Sequence, residues 1–533
     1  METRGQHASR AFTRPRGVIV HMIEFNTLKL AVEGYPSQLS YQPGEEVSFH
    51  CSAHVPSFSV EVARLGVARE VVWRADGISG QEQPVPADAY AAGCNWPVTF
   101  SIPAGETWRS GFYEVLFKGN GIEGPEATSH AFFVLRAAHP GRETSILLVL
   151  GTNTYNAYNK WGGGCLYTGA PRVSFARPME RGFVWKPTDP DGFDGRLANL
   201  TPEPDPDHRR LQAYLADNKV AMWSSSGGWF NWERRFVRWA EANGFGLDYA
   251  INSDLEFRPE LLDQYKLMLS VGHDEYWSWG MRDAVDNFVE RGGNVAFFSG
   301  NTVYWQVRYE DDGRTMRCHK YAARQDDDVV GTDRQHLLTS IWSDPLIGRA
   351  ENQTTGLSFC RGGYVRFGHA VPRSSGAYTV CRPDHWVFAG TGLRYGDALG
   401  PDARIVAYEV DGCDFAMDDG LPIPTGRDGT PADLEILAAA PAHLISNSPG
   451  KNETVVPLSF DPSAVGDLEY TATILFGDAS AENTRRLAHG HAILGVFKRG
   501  GTVFNAGTTD WAYGLDSDRL VQQITGNVLA RLS

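Results

Sequence analysis

Two nearly continuous apolar runs constrain the fold of this chain more than any other feature. "SILLVLG" (Ser145–Gly151) and "YKLMLSVGH" (Tyr265–His273) show little alternation of apolar and polar residues. Strands of this kind are buried on both faces, which is typical of a parallel sheet covered by helices. A helical pattern and a further strand, "NVAFFSGN" (Asn294–Asn301), follow at short joints marked by glycine. This order of strand, helix and strand predicts an α/β domain with a parallel sheet.

The chain before the first run follows a different pattern. Residues 25–137 contain short segments such as "EVSFHCSAH" and "FYEVLFKGNG", in which apolar and polar residues alternate between turn residues. Several strands at this spacing predict a β-sandwich domain. Residues 1–24 are basic and lack the apolar stretch of a secretion signal, so we expect a mobile N-terminal extension.

The rest of the chain divides into three segments. Residues 144–307 carry the first part of the predicted α/β domain. In residues 308–448 helical patterns become scarce, which predicts an irregular, partly β insertion. Residues 449–533 return to the α/β pattern and should complete the sheet, with Ser517 or Asp518 capping a final helix.

Charge and cysteine usage exclude several functional classes. The formal net charge of -15 argues against a nucleic-acid or anionic-membrane partner. The apolar runs are far shorter than the roughly 20 residues of a membrane helix. Seven scattered cysteines without a C-x-x-C pair indicate free thiols in a reducing compartment. We therefore expect a cytoplasmic protein with a small-molecule ligand.

Polar side chains follow four of the predicted strands, at the edge of the sheet where ligands usually bind. They are Tyr155 and Tyr158, His273 to Tyr276, Asn301, and Thr508 to Asp510. Imidazole and carboxylate two residues apart suit general acid-base chemistry or metal ligation. The same residues also suit an ordinary helix start, with the carboxylates facing the helix dipole. Without a G-x-S-x-G or G-x-C-x-G nucleophile, activation of water by a metal or a base is the favoured chemistry.

Six motifs follow one another along the chain: "VEVARLG", "SGFYEV", "TNTYNAYNKWGG", "GHDEYWS", "FFSGNTVYWQVR" and "AYEVDG". As an ordered set they resemble the large subunit of N,N-dimethylformamidase and its relatives. The resemblance runs from about Val60 to Gly514. It implies an immunoglobulin-like β-sandwich packed on a glutamine-amidotransferase-like α/β domain that lacks the cysteine of that class.

The resemblance also implies a mononuclear Fe(III) bound by two tyrosines and a glutamate. On this sequence the ligands would be Tyr113, Glu275 and Tyr155, with Tyr158 as the alternative to Tyr155. The implied flanking catalytic groups are His273, Asn301, Glu409 and Lys320. Anionic oxygen donors suit Fe(III), which would act as a Lewis acid on an amide carbonyl or activate a water molecule.

The leading hypothesis is therefore an iron-dependent amidohydrolase that cleaves a small N-substituted amide. A hydrolase of a different substrate, or a protein that binds a sugar or peptide without turnover, is the alternative. The resemblance implies a small second subunit as a possible partner and a homo-oligomer as the assembly.

Overall fold

A computed structural model describes residues 29–190, 192–197, 206–366, 374–446 and 466–533. The extension predicted for residues 1–24 and the segment boundary predicted at residues 448 and 449 lie outside these ranges. All seven cysteines lie inside them and are free, as predicted. Over the same ranges, no helix is both long and apolar enough to cross a membrane.

The first eight strands form two sheets that pack face to face. They are β1 (Val32–Pro36), β2 (Ser40–Tyr41), β3 (Glu46–Ala53), β4 (Ser57–Leu65), β5 (Arg69–Ser79), β6 (Phe100–Pro103), β7 (Gly111–Gly119) and β8 (Thr128–Leu135), with helix α1 (Ala89–Ala92) before β6. One sheet has the order β1-β3-β6 and the other β2-β8-β7-β4-β5. Alternate residues of β3 and β4, such as Phe49 and Val62, meet in one buried cluster. The apolar residues of the predicted alternating pattern therefore lie on the inner faces of the two sheets.

The next segment alternates strands with helices, as predicted. Its elements are β9 (Ile146–Leu150), α2 (Thr152–Tyr158), β10 (Arg172–Ser174), α3 (Pro206–Asn218), α4 (Glu233–Ala242), β11 (Asp248–Ile251), α5 (Asn252–Phe257), β12 (Leu267–His273), β13 (Tyr276–Ser278), α6 (Trp279–Glu290) and β14 (Asn294–Gly300). Strands β9 and β12 are buried along their whole length. Leu148 faces a cluster shared with α4, and Leu147 faces one shared with α6. Burial on both faces explains the continuous apolar runs.

The remaining elements are mostly short. They are β15 (Trp305–Glu310), β16 (Thr315–Arg317), α7 (Ala323–Asp326), α8 (Asn352–Thr355), β17 (Ser358–Val365), β18 (Tyr378–Val380), β19 (Ala398–Leu399), β20 (Tyr408–Gly412), β21 (Phe415–Asp418), β22 (Leu421–Pro424), β23 (Glu435–Ala442), α9 (Asp467–Phe476), α10 (Ala481–Arg485), β24 (Gly490–Arg499), β25 (Gly501–Asn505), α11 (Trp511–Gly514) and α12 (Arg519–Leu532). Asp518 caps α12 by accepting hydrogen bonds from the backbone of Leu520 and Val521.

The central sheet is mixed, which corrects the prediction of a parallel sheet. Its order is β11-β9-β12-β14-β25-β24-β23-β18-β19, and only the first five strands run parallel. Strands β24, β23, β18 and β19 add to it in antiparallel fashion. The predicted insertion thus supplies part of the sheet. The reason is that β24 and β25 join as a hairpin across Gly500, which reverses the chain direction.

The sandwich and the sheet are joined by aromatic and ionic contacts. The ring of Phe112 on β7 stacks on Trp229, just before α4, at 4.1 Å between ring centroids. Asp254 on α5 accepts a hydrogen bond from Ser40 Oγ at 2.8 Å and pairs with Arg136 at 3.2 Å. All three polar residues are buried, so the two parts share one continuous interior.

Candidate functional site

The predicted polar residues meet where parallel strands end. His273 is the last residue of β12, and Glu275 follows two positions later. Asn301 follows β14, and Tyr158 ends α2, the helix that leaves β9. Strand β20 brings Glu409 to the same place, and the backbone N–H of Thr509 donates to the Glu409 carbonyl at 3.0 Å. Parallel neighbours end at one edge, so these side chains converge.

Glu275 accepts hydrogen bonds from two tyrosines. Tyr158 donates its hydroxyl to Oε2 at 3.2 Å, and Tyr167 donates to both carboxylate oxygens at 3.0 Å. The Tyr167 and Tyr158 hydroxyl oxygens lie 2.6 Å apart, and the two rings stack at 4.2 Å. The backbone N–H of Glu275 is held by Thr154 Oγ1 at 3.0 Å. Three acidic oxygens therefore lie within hydrogen-bond distance of one another.

A second chain of donors ends at the same cluster. Lys320 Nζ donates to the Tyr276 hydroxyl at 3.0 Å, and Tyr276 donates to the Tyr167 hydroxyl at 2.8 Å. The Lys320 ammonium also lies 3.3 Å from the centroid of the Tyr167 ring. Burial lowers the pKa of Lys320, an effect that Glu275 opposes. The lysine thus places positive charge next to the tyrosines and the glutamate.

His273 connects Glu275 with Glu409. Its Nδ1 donates to the carbonyl oxygen of Ser226 at 2.7 Å. A carbonyl can only accept, so Nδ1 carries a proton. Nε2 lies 2.7 Å from Glu409 Oε2 and 3.4 Å from Glu275 Oε2. Although the contact of Nε2 with Glu409 is short, its angles are not those of a hydrogen bond. It is therefore an ion-pair contact.

The charges of this site follow from its burial. Burial lowers the pKa of His273, but Glu409 and then Glu275 outweigh that effect and raise the pKa to about 9. Burial raises the pKa of Glu275, and His273 and Lys320 oppose the rise. Burial, followed by the negative charge of Glu275, raises the pKa of Tyr158 and Tyr167 well above 10. Without a bound cation, the phenols are neutral donors and His273 is the charged partner of the carboxylates.

Asn301 completes the site from the strand next to β12. Its Nδ2 donates to Glu409 Oε2 at 3.1 Å, while its buried Oδ1 has no partner in the described chain. Left-handed backbone angles occur at Asn301, Val303, Lys320 and Tyr408. For residues other than glycine such angles are uncommon, and they cluster at sites where the surroundings enforce them. Four of the eleven non-glycine residues with such angles in the described ranges are therefore members or neighbours of the candidate site.

Two of the residues predicted as iron ligands lie elsewhere. Tyr113 lies in the sandwich core, where its hydroxyl donates to the Arg109 carbonyl at 2.7 Å and its ring stacks on Phe133. Tyr155 donates to Glu233 Oε1 at 2.5 Å. Tyr113 is directed inward by the alternation of β7. Tyr155 is three residues before Tyr158 on α2, and its hydroxyl has a different carboxylate partner. The geometry instead brings the alternative, Tyr158, to Glu275.

The sequence reasoning missed Tyr167 and gave Tyr276 no role. Tyr276 was visible in "GHDEYW", directly after Glu275, and β13 places its backbone beside β15. Tyr167 lies in an irregular segment, "WGGGCLYTG", whose path depends on contacts from distant residues. A buried arginine, Arg177, holds that segment by donating to the carbonyls of Trp161 and Gly164. Neither spacing nor periodicity could have identified Tyr167.

The fourth polar strand end lies one layer behind the site. Asp510 Oδ1 accepts a hydrogen bond from Trp232 Nε1 at 2.8 Å. The Trp232 ring meets the His273 ring edge-on, with centroids 6.1 Å apart. Asp510 therefore supports a wall of the site and does not face it.

Most side chains of the site are buried. The side chains of His273 and Glu409 are 0% and 4% exposed. Tyr167 is partly exposed and stacks on the partly exposed Trp223 at 5.3 Å. The partly exposed side chains at this cluster therefore include Tyr167 and Trp223.

The donor set fits a hard trivalent cation better than zinc. Within the described ranges, no group of three His, Cys, Asp or Glu side chains is arranged to hold a metal ion. Oxygens of Tyr158, Tyr167 and Glu275 nevertheless converge, and they would supply up to three negative charges. Such anionic oxygen donors favour Fe(III).

Comparison with known proteins gives one consistent result. The family described as "N,N-dimethylformamidase beta subunit-like, C-terminal" matches residues 59–525. The N,N-dimethylformamidase beta subunit of Alcaligenes sp is 27% identical over 228 residues, which are 40% of this chain and 28% of that protein. The one of Paracoccus aminophilus is 35% identical over 72 residues, which are 13% of this chain and 9% of that protein. Both alignments thus span less than a third of the relative.

Similarity to solved structures is weaker. A chain from a structure of T-cell activation by the bacterial superantigen toxic shock syndrome toxin-1 is 16% identical. The match covers 20% of this chain and 95% of that chain, with a TM-score of 0.13. Such a value carries no argument about fold or function.

Proposed function

Because the chain belongs to the N,N-dimethylformamidase beta subunit-like family, we propose that it is an amide hydrolase acting on a small N-substituted amide. The observation that carries this proposal is the buried contact of Glu275 with two tyrosines, next to His273 and Glu409. The relatives are much longer than the matched segments, so their activity is transferred here as a hypothesis. The specific folds, an immunoglobulin-like sandwich and an amidotransferase-like sheet, belong to the same proposal.

In this proposal the chain binds one Fe(III) through Tyr158, Tyr167 and Glu275. The support is the contact distances of 2.6–3.2 Å among their oxygens and the hardness of these donors. Loss of the two phenolic protons would turn the cluster into an anionic ligand set. When bound, the ion supplies a Lewis acid that polarises the amide carbonyl.

The protein's own groups would move the protons of hydrolysis. Glu409 is placed to accept a proton from water as that water attacks the amide carbon. His273, which carries a proton on Nδ1 and faces carboxylates through Nε2, is placed to donate the Nε2 proton to the leaving amine. Cleavage of the C–N bond then yields a carboxylic acid and an amine. Asn301 orients Glu409, and Lys320 orients Tyr167 through Tyr276.

The relatives' printed name, beta subunit, supports a further part of the proposal. We expect this chain to work with a second subunit and to form a homo-oligomer. The cytoplasmic location expected from the sequence belongs to the same hypothesis.

The test is the metal content and visible spectrum of full-length protein purified without chelator. We expect about one iron per chain and a broad tyrosinate-to-iron absorption band. Tyr158→Phe and Tyr167→Phe should each weaken or abolish the band, and Glu275→Gln should lower iron content. Tyr113→Phe is the matched control, since that hydroxyl bonds a backbone carbonyl in the sandwich. It should leave the band unchanged.

Two outcomes decide against the proposal. A protein that holds zinc or no metal after reconstitution with iron, with no visible band, excludes the iron site. Loss of the band in Tyr113→Phe with retention in Tyr158→Phe excludes the ligand assignment. If iron binds but no amide in a panel of small N-substituted amides is hydrolysed, the alternative of binding without turnover is favoured.

A further inference from the structure

A cavity of about 620 Å³ lies outside the catalytic cluster, where the sandwich meets helix α4. Its lining comes from the β4–β5 turn, from strands β7 and β8 with the loop between them, from residues 181–185, and from residues 230–238. None of the residues assigned to the catalytic cluster is among them. Its size is typical of a pocket for a small organic molecule.

The lining of this cavity is strongly cationic. It contains four arginines, at positions 69, 181, 234 and 238, and one carboxylate, Glu114. That carboxylate is already paired, because Arg69 Nε donates to it at 2.7 Å and His130 Nδ1 lies 2.9 Å away. Within the described residues, Arg181, Arg234 and Arg238 form no ion pair, although the net charge of the chain is -15. The local field therefore attracts anions against the overall charge of the molecule.

Two of these arginines lie one helical turn apart. Arg234 and Arg238 occupy positions i and i+4 of α4, where like charges destabilise a helix by a few tenths of a kcal/mol. Neither guanidinium has a hydrogen bond or ion pair within the part of the chain that the structure describes. Arg234 instead lies over the Phe230 ring, 4.6 Å from its centroid. Burial and the neighbouring Arg238 lower the pKa of Arg234. A bound anion would therefore stabilise the charged forms of these two arginines.

The third arginine sits between an aromatic ring and the sandwich. Arg181 Nη1 donates to the Pro125 carbonyl at 2.9 Å, and its guanidinium lies 5.6 Å from the Trp185 ring centroid. Its Nε is buried and has no hydrogen-bond partner among the described residues. Trp185 is 38% exposed, and Leu65 and Val184 add apolar surface to the same lining. The cavity therefore combines unused cationic donors with an apolar wall.

We propose that this cavity binds a small organic anion, a carboxylate or phosphate attached to an apolar body. The anionic group is held by Arg234 and Arg238, since guanidinium groups bind planar and tetrahedral anions through paired hydrogen bonds. The apolar body lies against Trp185 and Leu65. The concave lining favours a small molecule over a protein surface. This binding does not depend on the proposed amide hydrolysis.

Isothermal titration of the full-length protein tests the proposal, with phenyl phosphate as the probe. Inorganic phosphate and phenol report the anionic and the apolar contributions separately. We expect phenyl phosphate to bind at least about tenfold more tightly than either part alone. Substituting Arg234→Gln together with Arg238→Gln should weaken its binding by about tenfold or more. Added salt should weaken it as well.

Matched variants separate this site from general charge effects. Arg291→Gln removes an exposed arginine directly after α6 that does not line this cavity, and should leave binding unchanged. Trp185→Ala should weaken phenyl phosphate but not inorganic phosphate. Circular dichroism of each variant confirms that it is folded.

Three results would overturn the proposal. The first is that phenyl phosphate does not bind at a concentration of about 5 mM, which would place its dissociation constant above the millimolar range. The second is equal binding by the double arginine variant. The third is tighter binding of a polyglutamate peptide than of phenyl phosphate, which would make the cavity a docking surface for an acidic protein segment.

Discussion

At the scale of single residues, neighbouring carboxylates in this interior have unlike environments. Glu275 lies beside a histidine and a lysine, whereas Glu233 is buried next to Tyr155, with no positive partner among the described residues. Burial raises the pKa of Glu233 to about 8. Burial and the charged groups next to each glutamate therefore determine how its pKa is shifted.

Glu233 makes stability depend on pH. Its pKa in the folded state lies above the ordinary value, so between about pH 4.5 and pH 8 the folded protein holds a proton that the unfolded chain releases. The free energy of unfolding contributed by Glu233 therefore falls as pH rises through this window and levels off above it. One pKa unit corresponds to about 1.4 kcal/mol.

The substitution Glu233→Gln should remove this pH-dependent contribution while keeping an acceptor for Tyr155. Urea unfolding measures the free energy of unfolding at about pH 5 and about pH 8.5. This free energy should fall less between the two pH values in the variant than in the unmodified protein. Glu260→Gln, at an exposed position, is the control. Equal pH dependence in Glu233→Gln and in the unmodified protein would show that Glu233 titrates normally.

His273 should be essential for turnover but not for the metal. His273→Asn retains a side-chain N–H for the Ser226 carbonyl and removes Nε2. We expect kcat to fall by roughly 10²–10⁴ because a proton donor is lost, while the iron band persists. Steady-state kinetics and the visible spectrum measure the two effects. Retained turnover would exclude His273 as the proton donor, and a lost band would make it part of the metal site.

At the scale of elements, the predictable parts are those set by local pattern. The apolar runs identified β9, β12 and β14, and a polar residue before the last helix identified the cap of α12. Strand β23, "EILAAAPA", was hidden because small residues and a proline give it no clear alternation. Tyr167 was hidden because an irregular loop places it. Local pattern therefore predicts elements, whereas long-range contacts decide which loops complete the site.

The cap of α12 gives a direct test at this scale. Asp518→Ala removes the acceptor for the backbone N–H groups of Leu520 and Val521. The loss should cost about 1 kcal/mol of stability. Asp518→Ser retains a capping acceptor and should recover most of it, as measured by urea unfolding. Identical midpoints for the alanine variant and the unmodified protein would mean that the end of the chain does not limit stability.

At the scale of the whole molecule, the sandwich and the sheet are coupled by buried charge. Arg136 of the sandwich and Asp254 of α5 are both buried, and Ser40 also donates to Asp254. A buried ion pair contributes little net stability, but removal of one partner leaves an uncompensated charge. The contact therefore makes the two parts depend on each other.

Asp254→Ala should destabilise the protein by about 3–5 kcal/mol, because Arg136 remains buried without a counter-ion. Asp263→Ala breaks an exposed pair with Arg291 and should change stability by less than about 1 kcal/mol. Scanning calorimetry should show one transition in the unmodified protein. Two separate transitions, with only one of them shifted by Asp254→Ala, would contradict the coupling.

The left-handed backbone at Lys320 has a consequence for laboratory evolution. Its conformation opposes folding by about 1–3 kcal/mol, and burial of its ammonium adds a desolvation cost. Selection for heat resistance alone should therefore favour replacements such as asparagine or glycine at this position. Selection for turnover should retain the lysine, because it orients Tyr276 and Tyr167. Lineages evolved under the two kinds of selection should therefore differ at Lys320, which selection for stability alone would not retain.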